Sequence, residues 1–127
     1  MRLVLIRHAE AAPGDPDELR ALTPGGREQA RRLGEHLRAD GIVPDAVLSS
    51  PLLRARQTAE GLGFGAPEAS DALAPGATPE AVRAAVAGRG ETVIVVGHQP
   101  DCGRIVASLE GGAERAFPSA GAHVLEL

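Results

Sequence analysis

The stretch "LVLIRHAEA", residues 3–11, runs four apolar residues straight into an arginine and a histidine. "RLVLI" reads as a short strand, because an unbroken aliphatic run suits a strand covered on both faces. A strand that only had to be buried would normally finish in a turn residue. This one delivers a permanent charge, Arg7, and a titratable ring, His8, side by side.

Outward from that strand the chain alternates. Residues 12–22, "APGDPDELRAL", are rich in Pro, Gly and Asp and read as a loop. Thr23 then stands as a helix N-cap with Pro24 at the first helical position. Ala30, Leu33 and Leu37 form the apolar stripe of that helix, which ends at Gly41. "DAVLSS" is a second strand, from Asp45 to Ser49. "SPLLRARQTAEGL" is a second helix with Ser50 as N-cap, Pro51 at its first position and a buried stripe of Leu52, Ala55, Ala59 and Leu62.

Residues 63–78 are rich in Gly, Ala and Pro and read as an irregular connection. Thr78 repeats the Thr-Pro helix start, and "ETVIVVGH", residues 91–98, is the strongest strand in the chain. "QPDCGRIVASLEG" follows as a helix with Cys102, Ile105, Val106 and Leu109 on one face. "AHVLEL" forms a last strand, toward a sheet edge. The order strand, helix, strand, helix, helix, strand, helix, strand predicts an α/β domain with a mostly parallel sheet and helices on both faces. No internal repeat or linker divides it, so residues 1–127 are expected to form one domain.

Composition narrows the function. The chain has 127 residues, 43% of them hydrophobic, which is globular. Its core must be aliphatic, since it contains two Phe and no Trp or Tyr. Stacking on bases is nearly unavailable, and a net charge of −4 makes a poor generic binder of nucleic acid. All 13 basic residues are arginine, so lysine chemistry is excluded and forked guanidinium donors are the only cations on offer. Cys102 is the only cysteine, which precludes an intramolecular disulfide and fits a reducing cytoplasm. The residues ahead of Arg7 are too few for a signal-peptide core, and no apolar run approaches the ~20 residues needed to span a membrane.

In open α/β sheets, ligands bind at the carboxyl ends of the strands. Three such ends carry chemistry here. The first ends in Arg7-His8. The second ends in Ser49-Ser50, with Arg54 in the first turn of the next helix. The third ends in Gly97-His98. If the strands are parallel, two histidines and two arginines converge on one rim. Two guanidiniums and a helix N-terminus suit a tetrahedral oxyanion. One histidine can attack phosphorus while the other donates to the developing charge.

Taken in register, "RHAEA" at 7–11, "RALTPGG" at 20–26, "SSPLLRARQTAE" at 49–60 and "VVGHQPD" at 95–101 resemble the histidine phosphatase superfamily, in particular its short SixA-like phosphohistidine phosphatase branch. The resemblance implies a three-layer αβα, phosphoglycerate mutase-like fold. It implies His8 as the nucleophile that becomes phosphorylated, with Arg7 and Arg54 holding phosphoryl oxygens and His98 completing the pocket as a donor. Arg20 matches a position near the phosphate in that branch and is expected to assist binding. The family needs no metal and no cofactor, and the expected partner is a phosphohistidine-bearing protein in the cytoplasm. Many members have Gly directly after the histidine, where this chain has Ala9.

Larger members of the family carry a Glu or Asp that protonates the leaving group. In the matching region Glu68, Asp71 and Glu80 are available, but none sits in an acid motif, and none is assigned. A phosphohistidine can leave as neutral imidazole if its ring is already protonated, so a missing acid costs less there than for an alcohol. Residues 60–80 are also too few for a cap domain, which disfavours a mutase and suits an open site for protein-borne phosphohistidine. The alternatives are a phosphatase of small phosphomonoesters or nucleotides, and a non-catalytic phosphate-binding module. His36 reads as a surface residue, His123 as packed, Arg56 as solvated and Cys102 as a buried small hydrophobe.

Overall fold

In the computed structural model, which describes residues 1–127, β1 (Arg2–Arg7) pairs in parallel with β4 (Thr92–Gly97), and β4 pairs in parallel with β2 (Ala46–Ser49). A two-residue β3 (Glu68–Ala69) extends the sheet beyond β2, and β5 (Ala122–Glu126) closes the other edge antiparallel to β1. The sheet order is β3-β2-β4-β1-β5. The mostly parallel α/β sheet expected from the sequence is therefore present, with one antiparallel edge strand.

The aliphatic runs are buried on both sides because alternate residues feed different layers. Leu3, Leu5, Val93 and Val95 pack with Val82, Val86, Ile105 and Val106 of α3 (Pro79–Val86) and α4 (Asp101–Glu110). Val4, Ile6, Ile94 and Val96 pack with Leu37, Ala55 and Ala59 of α1 (Pro24–Ala39) and α2 (Leu53–Gly61). Each fully buried aliphatic side chain contributes roughly 1.5–3 kcal/mol, which lets a core almost without aromatic residues hold.

Both Thr-Pro helix starts behave as read. Thr23 Oγ1 accepts from Gly26 N at 2.9 Å, and Thr78 Oγ1 accepts from Ala81 N at 3.1 Å. The second helix departs from the reading. Its N-cap is Leu52, without a side-chain cap, and Ser50 lies in the turn before it. Ser50 Oγ does accept from Leu52 N at 3.2 Å, but it is also engaged by a histidine, described below. The connection read as irregular contains β3 and a 3-10 turn at Asp71–Leu73, whose Leu73 is buried.

Glycine permits one close approach that matters for the site. A Cβ at Gly26 would lie 2.0 Å from Glu10 O, so only glycine lets the start of α1 seat directly on the segment following His8.

Candidate phosphate site at the carboxyl ends of the parallel strands

The three parallel strands finish level with one another. His8 N donates to Gly97 O at 2.9 Å, and Ser50 N donates to Val96 O at 3.0 Å. The residue after each strand is thereby fixed to the last residues of the central strand, β4. The rings of His8 and His98 come to rest 5.3 Å apart, tilted by 59°.

Each ring is oriented by a different partner. His8 Nδ1 lies 2.7 Å from Ala9 O. A carbonyl oxygen can only accept, so Nδ1 carries the proton and Nε2 keeps its lone pair. His98 Nε2 lies 2.7 Å from Ser50 Oγ, and this contact is buried. Burial lowers the pKa of His8, aided by the charges of Arg54, Arg7 and Arg20 and opposed by the bond to Ala9 O. Burial pushes His98 down further, to about 4, with His8 and Arg54 adding to the effect. Both rings are neutral at neutral pH.

Arg54 is held by its surroundings despite being only 6% exposed. Its Nη1 donates to Asp17 O at 2.9 Å and its Nη2 pairs with Asp17 Oδ2 at 3.2 Å. Thr58, one turn along α2, donates to Arg54 O at 2.8 Å and accepts from Ala9 N at 2.9 Å. One hydroxyl thus braces the segment after His8 against the helix that carries Arg54. Arg7 Nη1 donates to Phe117 O at 2.8 Å. Arg20 donates from Nε to Ala12 O at 2.9 Å and from Nη1 to Asp17 Oδ1 at 3.2 Å.

Two donors are left over. Arg7 Nε and Arg54 Nε are buried and have no hydrogen-bond partner. Buried polar groups are nearly always paired, because an unmade bond costs about 1–3 kcal/mol. Two orphaned guanidinium N–H groups beside two neutral histidines describe a receptor for an oxyanion.

Five residues read from the sequence thus gather in one region: the rings of His8 and His98, Arg7 and Arg54 whose charges act on both, and Arg20 joined to Arg54 through Asp17. The unassigned acids lie elsewhere. Glu68 is taken up in an ion pair with Arg89, and neither Asp71 nor Glu80 is a hydrogen-bond partner of His8 or His98, whose rings meet Ala9 O and Ser50 Oγ. Arg56 and His36 are exposed, and Cys102 is buried with its thiol pushed up to about 12. His123 is half-buried, and its ring bridges Glu110 Oε1 at 2.8 Å and Arg115 Nη1 at 3.1 Å. Sequence reading missed Asp17, which sits in a loop with no periodic signal, and Thr58, whose role needs two distant partners. No group of three or more His, Cys, Asp or Glu side chains is clustered to hold a metal ion.

Comparison with known proteins identifies the fold and the family. The family model described as histidine phosphatase superfamily (branch 1) matches residues 3–74. An uncharacterised protein of Mycobacterium tuberculosis is 36% identical over 96% of this chain and 87% of its own length. Phosphohistidine phosphatase SixA of Escherichia coli K12 is 32% identical over 86% of this chain and 74% of its own length. A solved structure of the protein histidine phosphatase SixA complexed with tungstate superposes with a TM-score of 0.91 at 28% identity, covering 100% of this chain and 88% of that one. The rim that gathers Arg7, His8, Arg54 and His98 is thus carried by a phosphoglycerate mutase-like fold, and the chain belongs to the histidine phosphatase superfamily, on its SixA-like side.

Proposed function

We propose that this phosphatase works through a phosphohistidine at His8 and acts on phosphohistidine borne by a protein. The observation that carries the reading is the pair of orphaned buried donors, Arg7 Nε and Arg54 Nε, beside the rings of His8 and His98.

The reaction has two displacements. His8 Nε2 attacks phosphorus, the bond from phosphorus to the leaving group breaks, and phospho-His8 forms. Water then attacks phospho-His8, releasing inorganic phosphate and restoring the ring. The bond from Nδ1 to Ala9 O keeps the lone pair of Nε2 aimed outward in both steps. The orphaned guanidinium donors take equatorial oxygens, where phosphoryl transfer most needs positive charge.

His98 supplies a neutral donor. Ser50 Oγ accepts from Leu52 N and can give its own proton to His98 Nε2. That leaves the His98 proton on Nδ1, free to face a phosphoryl oxygen.

A protein substrate fits the approach to the site. Between α2 and α3 the chain spends its residues on β3 and a single 3-10 turn, with no helical cap to enclose a small metabolite. The SixA relative is named for phosphohistidine, and the SixA structure holds tungstate, a tetrahedral oxyanion of the phosphate type.

The test is to treat the protein with a labelled phosphohistidine donor, quench it and map the label. Label on His8 that turns over to inorganic phosphate is expected. Label on another residue, or turnover with none trapped in a rapid quench, would refute the mechanism. Assays against a phosphohistidine-bearing protein and a panel of phosphate esters then decide the substrate.

A further inference from the structure

The carboxylate of Asp17 is out of keeping with a phosphate site. It stands on a 3-10 turn at Asp17–Leu19, with its side chain 59% exposed, and takes Arg54 Nη2 on one oxygen and Arg20 Nη1 on the other, both at 3.2 Å. A negative group there competes with the incoming phosphoryl group for Arg54 and repels it. Arg54 nonetheless anchors this residue twice, through the side chain and through Asp17 O at 2.9 Å. A substrate that carried only negative charge would be opposed by this arrangement. One that brought a positive N–H next to its phosphoryl group would be matched by it.

We infer that Asp17 is a specificity residue that accepts a hydrogen bond from the second ring nitrogen of a protonated phosphohistidine, selecting P–N substrates over phosphate esters. The inference rests on the phosphohistidine reading above. His8 is half-buried just beyond the end of β1, whereas Asp17 is exposed and paired with Arg54, whose charge acts on His8; the charges of Asp17 and Arg54 both act on His98, so the carboxylate stands at the open side of the same site. The bonds to Arg20 and Arg54 also hold the Asp17 carboxyl below the usual carboxylate range, so it is an acceptor at neutral pH and not an acid.

The chemistry closes without a proton donor. Phosphohistidine carries phosphorus on one ring nitrogen and, when protonated, a hydrogen on the other. As His8 Nε2 forms its bond to phosphorus, the P–N bond breaks and its electron pair stays on the departing nitrogen. The ring leaves as neutral imidazole with its N–H still in place. Asp17 favours this path by stabilising the protonated ring before the bond breaks. An alkyl ester offers no such N–H and needs a proton that Asp17, being ionised, does not hold. Glu68 is paired with Arg89, and neither Asp71 nor Glu80 is hydrogen-bonded to either histidine.

Asp17→Asn keeps an oxygen for the arginines and removes the charge. The readout is the ratio of kcat/KM for a peptide carrying N-phosphohistidine to kcat/KM for p-nitrophenyl phosphate, whose leaving group needs no proton. Loss of a charge-assisted bond to the ring is expected to lower that ratio by roughly ten- to a hundredfold. A purely structural role for Asp17, supporting Arg54, would change both substrates in parallel. An unchanged or increased ratio in Asp17→Asn therefore overturns the role of Asp17 and leaves the substrate reading standing. A parent enzyme that hydrolyses p-nitrophenyl phosphate and not the phosphohistidine peptide overturns the substrate reading, and this inference with it.

Discussion

His8 and His98 stand at the ends of neighbouring parallel strands, one residue beyond the paired Arg7 and Gly97. Their surroundings nevertheless differ. His8 is half-buried, and its ring is hydrogen-bonded to backbone alone, at Ala9 O. His98 is 4% exposed and bonded to a side chain from another strand end, Ser50. The first arrangement leaves a lone pair pointing outward. The second leaves a neutral ring whose proton position is set by a hydroxyl. The same residue type at equivalent ends of one sheet is thus fitted for opposite parts in the proposed mechanism, and the neighbours that accept or donate decide which.

The largest expected effect falls on the lone pair. His8→Ala is expected to lower turnover on the order of 10⁴- to 10⁶-fold and to abolish the trapped phosphoenzyme, with an unchanged thermal transition. Substantial turnover in the folded variant would remove the distinction between the two rings.

Next comes the charge between them. Arg54→Ala removes a nearly buried guanidinium whose charge acts on both rings, and is expected to cost about 2–4 kcal/mol, or roughly thirty- to a thousandfold in kcat/KM. Arg56→Ala removes a solvated arginine two residues away on the same helix, on a different face, and is expected to stay within a few-fold of the parent. Similar kinetics for the two variants would place α2 wrongly against the site.

The burial of His98 can be read from stability. Its folded pKa of about 4 lies below the ordinary 6.5, so the unfolded chain takes up the proton first as the pH falls. The contribution of the neutral buried ring is complete above about pH 6.5 and is lost as the pH drops toward 4. The loss is on the order of 2 kcal/mol after allowance for screening at the pocket mouth. Urea midpoints at pH 7.5 and 4.5 are expected to diverge less in His98→Gln than in the parent. Parallel shifts in the two proteins would show that His98 titrates like a surface histidine.

A smaller effect tests what sets the His98 proton. Ser50→Ala is expected to cost about 1 kcal/mol, near fivefold in kcat, by freeing the tautomer. Ser50→Thr keeps the hydroxyl and is expected to recover part of it; equal losses would assign the effect to packing. The smallest expected effect is none: prolonged chelation with EDTA is expected to leave turnover unchanged, and a divalent requirement restored by one metal would refute the arginine-based reading.

Much of this comparison was legible in the sequence, for reasons that differ by residue. The aliphatic runs of β1 and β4 announce strands buried on both faces, and parallel order then forces Arg7, His8 and His98 to one rim. Thr23 and Thr78 announce their helices because capping is a local event between a side chain and a backbone two or three residues on. Arg54 was placed by its distance from the strand end and Arg56 by the turn of the helix. Ser50 was misread because its hydroxyl has two claims on it, and the stronger one comes from His98, 48 residues away. β3 escaped notice because two exposed residues carry no pattern; its pairing with Leu48 and Ser49 comes from the sheet. Asp17 escaped for a related reason, since a loop aspartate acquires meaning only when Arg20 and Arg54 close on it.

The sheet topology also governs when the enzyme becomes an enzyme. His8, the proposed nucleophile, follows β1 directly, yet Arg2 pairs with Thr92 on one side and with Glu126 on the other. Loops of that length must close before either pairing is rewarded, so both pairings carry the closure cost of long-range contacts. Until β4 docks, His8 has no Gly97 O to fix it and no second ring beside it. The motif at residues 7–11 thus acquires its proposed chemistry only through a strand some ninety residues further along the chain, once the sheet is assembled.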